Sequence, residues 1–111
     1  MTESVLIVGA GLGLSASLAR KCAQAGMHVS LAARAPKKIE TIANEIGAEV
    51  YACDASEIDQ VANLFEMHDQ LNRPLTMVVY NPSARVRGPI HELDTQETKK
   101  AIEVTCFGAF L

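Results

Sequence analysis

The feature that most constrains this chain is a cluster of glycines where a strand gives way to a helix. Val5 to Val8 is a short aliphatic run that stops at Gly9, and Gly9, Gly11 and Gly13 then fall within five residues. Glycine tolerates positive φ and carries no Cβ, so the backbone can turn sharply there and a ligand can come close to it. After Gly13 the pattern is helical to about Ala25, with Ser15, Leu18, Ala19 and Cys22 on one face and Arg20, Lys21 and Gln24 on the other. Gly26 is a good terminator. His28 to Ala33 is mostly apolar, as a strand covered on both faces should be. A helix that begins at a glycine turn points free N–H groups and its positive dipole end at whatever lies over the turn, which makes a phosphate site. The pyrophosphate of a dinucleotide fits that arrangement. A merely tight strand-to-helix turn is the alternative, because a glycine cluster alone is weak without structural context.

The second strand ends at Ala33 and is followed by Arg34, with Lys37 and Lys38 close behind. NAD-preferring sites place a carboxylate at this strand end for the ribose 2′-hydroxyl. A cation there suits a 2′-phosphate instead, so NADP(H) is favoured over NAD. Ordinary solvated charges are the plainer reading of the same three residues. Pro36 suits a first helical turn, and Ile39, Ile42, Ala43 and Ile46 make one apolar stripe that ends at Gly47. A short strand, Glu49 to Cys53, leads into Asp54, a residue common after strands as turn chemistry.

Ser56 with Asp59 has the spacing of a capping box, and Ile58, Val61, Ala62 and Phe65 read as the buried stripe of a third helix. His68, in a polar stretch near its end, reads as solvated. Asn72-Arg73-Pro74 breaks that helix before a fourth apolar strand, Leu75 to Tyr80. Asn81-Pro82-Ser83 follows as a turn. A last helix starts near Asp94 or Thr95, where Asp94 and Glu97 again have cap spacing, and runs to Leu111.

The alternation of four apolar strands with four helices predicts one α/β domain over residues 1–111, Rossmann-like. It would have three layers (αβα) around a parallel sheet of order 3-2-1-4. The turns at Gly9, Asp54 and Asn81 would then meet at the carboxyl ends of their strands, over the switch point between strands one and four.

Totals narrow the function classes. With 49% apolar and 21% charged residues the composition is that of a soluble globular chain. A net charge of −3 argues against nucleic acid as a partner. No apolar run approaches membrane-spanning length and no basic leader precedes the first strand, so the cytoplasm is expected and a membrane is not. Cys22, Cys53 and Cys106 are scattered in apolar contexts and read as three buried thiols in a reducing compartment, with no metal role.

The segment Gly9-Ala10-Gly11-Leu12-Gly13-Leu14-Ser15-Ala16-Ser17-Leu18-Ala19-Arg20 resembles the turn of short-chain dehydrogenases/reductases, with Ser15 where the family has its last glycine. Slightly looser packing of helix on strand is the expected cost. The resemblance implies that Gly9, Gly11, Leu12, Gly13 and Leu14 bind a dinucleotide. It places Asp54 and Ala55 near the adenine ring. Tyr80-Asn81-Pro82-Ser83 looks like the family's segment along the adenine ribose, which implicates Asn81 and Ser83. The stretch from Glu103 to Leu111 looks like a family helix that carries an asparagine; Gly108 matches, and Thr105 stands in the asparagine place.

The family's catalytic Ser and Tyr-x-x-x-Lys follow that helix. Here Tyr51 and Tyr80 lie inside expected strands, and neither has lysine at the fourth place after it. No catalytic residue is therefore assigned, and the chain is expected to be the dinucleotide-binding half of the family fold, truncated and inactive by itself. A non-catalytic dinucleotide-binding or assembly module is the alternative. Strand four would lie at a sheet edge and helix four would keep an apolar face, so a homo-oligomer shielding both is expected.

Overall fold

The computed structural model describes residues 3–111. Four strands form one sheet: β1 (Ser4–Val8), β2 (His28–Ala33), β3 (Glu49–Ala52) and β4 (Leu75–Tyr80). The order is β3-β2-β1-β4 and every pairing is parallel. β1 is central: Val8 lies beside Ala32 on one side and Tyr80 on the other.

Alternation along the strands builds the two faces. Val5 and Ile7 of β1, with Val29, Leu31 and Ala33 of β2, pack against α1 (Leu14–Gln24) and α2 (Glu40–Ile46). Ala16, Ala19 and Cys22 supply the α1 side of that core, while Ile42 and Ala43 supply the α2 side. Leu6, Val8 and Ala32 face the other way, toward Leu64 of α3 (Ile58–Asp69) and the buried Cys53 and Ala55. The expected three-layer arrangement and strand order are therefore present.

Several local expectations fail, each for a visible reason. The Ser56–Asp59 capping box does not form. α3 is capped by Glu57 without a side-chain bond, because the Ser56 hydroxyl donates to the Asp54 carboxylate instead (2.7 Å). The buried face of α3 is rotated toward Leu64 and His68, leaving Ile58 and Ala62 exposed. His68 is thus buried rather than solvated, with Nε2 lacking a hydrogen-bond partner. Cys106 is exposed, so only two of the three thiols are buried.

The last helix begins as read. Asp94 accepts from the Glu97 N–H (2.8 Å) ahead of α4 (Thr95–Ile102). It then widens into a π turn over Glu103–Phe107 before a final helical turn, Gly108–Phe110. Among the described residues no helix is long and apolar enough to cross a membrane.

Candidate nucleotide site

The first turn of the fold is held from both flanks. Gly9 has φ +80°, a left-handed conformation that side chains resist, and a Cβ there would collide with the backbone of Asn81 and Pro82. The N–H groups of Gly9 and Ala10 both donate to the Ala32 carbonyl (2.9 and 3.0 Å), tying the turn to β2. Gly11 and Gly13 differ: a Cβ at either would meet no protein atom within 4 Å. Their missing side chains leave space beside the N-terminus of α1. Gly13 occupies the cap position there, without a side-chain cap or an acidic residue in the first turn.

Ser15, in the place of the family's last glycine, is accommodated with a hydrogen-bond partner. It is buried, and its hydroxyl accepts from the Asn81 side-chain amide (2.9 Å). The Asn81 N–H donates to the Val8 carbonyl (2.9 Å), so this one residue joins the ends of β1, β4 and the start of α1. The serine in the glycine place thus acts as a polar rivet between the turn and β4.

These segments surround a cleft of about 440 Å³ at the carboxyl ends of the strands. Gly9, Gly11 and Leu12 line it from the turn, Arg34 and Lys38 from beyond β2, Asp54 and Ala55 from beyond β3, and Asn81 and Ser83 from beyond β4. Gly13 and Leu14 lie outside the lining, at the helix start, and Leu14 is 74% exposed. Lys38 borders the cleft and Lys37 does not, a choice set by the 3₁₀ turn at Pro36–Ile39. Val104, at the π turn, also lines the cleft, as does Cys53. Sequence reasoning passed over both; buried apolar residues carry no signal of their own that they border a ligand space.

Asp54 is the carboxylate of the cleft and lies within range of two cations. Burial acts to raise its carboxyl, but hydrogen bonds from the Ser56 hydroxyl and N–H, with the cations of Lys100 and Arg34, outweigh this and hold it below the ordinary aspartate value. Both Ser56 bonds go to Oδ1 (2.7 and 3.0 Å). Tyr80 is pushed the opposite way, by burial first and then by the negative charge of Asp54. Its hydroxyl donates to the Val104 carbonyl, and a Cβ on Gly108 would strike that hydroxyl and the Ala55 carbonyl. Tyr80 is therefore a brace between β4 and the π turn and a poor proton donor. Thr105, in the expected asparagine place, bonds the Ala84 backbone: it accepts from the N–H (3.0 Å) and donates to the carbonyl (3.3 Å).

A parallel sheet of this order, with a glycine turn and cation-bearing loops at its carboxyl edge, defines a Rossmann-type protein. The family model described as short chain dehydrogenase matches residues 3–111, and the chain belongs to that family. It is similar to an oxidoreductase of Mycobacterium tuberculosis, 41% identical over an alignment 66 positions long that covers 52% of this chain and 19% of that protein. A metagenomic short-chain oxidoreductase solved in complex with NADP superposes with TM-score 0.91 at 27% identity, over 97% of this chain and 52% of the other. An alcohol dehydrogenase from Thermococcus sibiricus, complexed with 5-hydroxy-NADP, gives TM-score 0.90 at 27% identity, over 99% of this chain and 49% of the other. The chain thus spans about half the length of these solved structures.

Proposed function

We propose that this chain is the NADP(H)-binding portion of a short-chain dehydrogenase/reductase-type oxidoreductase. The observation that carries the reading is the meeting of four separate strand-end segments, bearing Gly11, Arg34, Asp54 and Asn81, around one cleft. The residues suit the group. The space beside Gly11 and Gly13 and the uncapped start of α1 fit a pyrophosphate. Arg34 and Lys38 supply fixed positive charge for a 2′-phosphate. Asp54 stays ionised and can accept from the adenine amino group. NADP-bound neighbours of the same fold support the choice of ligand.

The cofactor, when bound, supplies a hydride. Reducing a carbonyl also needs a positioned acid, and Tyr80 is engaged with Val104 while Tyr51 is shifted upward by burial. Substrate contacts and the catalytic acid are therefore assigned to residues other than these 111, and the chain alone is expected to bind cofactor without turning over substrate. Fluorescence titration with NADPH tests the reading, and no binding at millimolar cofactor rejects it. Arg34→Glu should weaken NADPH by about tenfold to a hundredfold, as loss of a charge-assisted bond does, and NADH far less. Equal losses would remove the 2′-phosphate role.

We further infer self-association, with a cytoplasmic setting. Val78 of β4 and Phe110 are both exposed and border one groove, and Phe107, also exposed, stacks on Phe110. The groove, of about 270 Å³, runs between α3, β4 and residues 108–111. A face of this kind favours pairing with another surface over open water.

A further inference from the structure

The loop that carries Asp54 is held by a helix more than 40 residues away in the chain. Lys100 of α4 donates from Nζ to the Ser56 hydroxyl oxygen (2.6 Å) and lies 3.7 Å from Glu57 Oε1. The Ser56 hydroxyl passes its own proton bond on to Asp54 Oδ1 (2.7 Å). Because Lys100 fills the acceptor side of that hydroxyl, the hydroxyl hydrogen is directed at the carboxylate. The Ser56 N–H takes a second site on the same oxygen (3.0 Å), and the Asp54 N–H is fixed by the Gln60 side-chain carbonyl (2.7 Å). Every bond to the carboxylate among the described residues falls on Oδ1. Oδ2 is left without a hydrogen-bond partner among the described residues, and Asp54 lines the cleft.

We propose that Ser56 and Lys100 are positioning residues for purine recognition: a relay from α4 locks the Asp54 carboxylate so that Oδ2 is presented to the exocyclic amino group of an adenine base. The proposal rests on the NADP(H)-binding reading above and adds to it a source of base specificity in α4. Lys100 acts through the Ser56 oxygen and not on the nucleotide itself. A hydroxyl oriented by an ammonium is a stronger and better directed donor than a free rotor. Removing either member lets the carboxylate turn, and a turned carboxylate distinguishes poorly between an amino group and a carbonyl.

The test is fluorescence titration with NADPH and with its hypoxanthine analogue, in which a carbonyl replaces the adenine amino group. The wild-type protein should prefer NADPH by about tenfold, the value of one hydrogen bond to a charged acceptor. In Lys100→Met and in Ser56→Ala that preference should fall to about threefold or less, through weaker NADPH binding, while affinity for the hypoxanthine analogue stays within about twofold. Lys100→Arg, which keeps a donor, should restore most of the preference. Unchanged affinity for the analogue also reports that each variant is folded. A preference that survives both substitutions overturns the relay. Equal weakening of both nucleotides overturns it too, since it marks a general structural or phosphate-charge role for Lys100. A wild-type protein that binds neither nucleotide overturns the NADP(H) reading and this inference together, an outcome distinct from either of the others.

Discussion

β2 and β4 both lie against β1, in parallel, at the same level of the sheet, yet they live in different surroundings. β2, with the sequence His-Val-Ser-Leu-Ala-Ala, is buried from Val29 onward. β4, with the more apolar sequence Leu-Thr-Met-Val-Val-Tyr, has no fully buried residue, and Val78 is 46% exposed. The difference lies in what covers them. β2 has β3 on its far edge and α1 and α2 over one face. β4 closes the sheet on its side, with an open edge among the described residues. Apolar content prepares a strand for burial, but burial is conferred by neighbours. β2 is covered on its edge and on both faces by other parts of this chain, whereas β4 keeps an open edge among the described residues, and the cleft lies across the line between them.

The largest expected effect comes from breaking that contrast in the core. Leu31→Ala should cost about 2–5 kcal/mol in urea unfolding, the usual result of truncating a fully buried leucine. Val78→Ala should stay within about 0.5 kcal/mol, as at other exposed sites. A Val78 cost as large as that of Leu31 would mean that β4 is covered in solution. A second contrast sets glycine against glycine. Gly108→Ala must displace the Tyr80 hydroxyl or the Ala55 carbonyl and should cost about 1–3 kcal/mol. Gly11→Ala meets open space and should leave stability unchanged while weakening NADPH.

Smaller in free energy but decisive for the β4 side is Phe110→Lys. The side chain is 81% exposed, so the fold should be unaffected, while sedimentation should show a larger species for wild type and a smaller one for the variant. Identical sedimentation of both would discard self-association through this face. The smallest effect is that of pH on the Asp54 loop. Its carboxyl is held below the ordinary value, so its contribution to stability is fully present above that value and fades as pH falls through the lower folded one. Asp54→Asn should flatten this acid limb of the stability curve. An unchanged limb would mean that the Ser56 bonds do not favour the charged form.

The sheet was legible because its signals are local and agree with one another. Four β-branched or aliphatic runs, closed in turn by Gly9, Arg34, Asp54 and Asn81, leave few topologies open once right-handed crossovers are required. The bounds of β2 and β4 were read to the residue for the same reason. The glycine turn, Arg34, Asp54 and Asn81 could be read as candidates because each departs from the apolar strand before it. α3 was harder. Its apolar residues fit more than one stripe, and the face that won is the one that puts Leu64 onto Leu6 and Val8. His68 followed that rotation into the interior although its own neighbours are polar.

Partnership was what spacing could not supply. Ser56 has the spacing of a helix cap but serves Asp54, since the carboxylate two residues earlier is nearer than the N–H it would have capped. Ser15 looked like a defect in the glycine pattern and became the acceptor for Asn81, 66 residues away. The amino-acid order by itself determined the parallel sheet, its strand order and the strand ends at which a ligand could sit, because periodicity and chain-breaking residues act over a few neighbours. Only the tertiary structure decided that Lys38 rather than Lys37 borders the cleft, that Lys100 bonds Ser56, and that the middle of β4 is exposed. Those outcomes depend on distances between segments far apart in the chain, and hydrogen bonds and burial respond to distance in space alone.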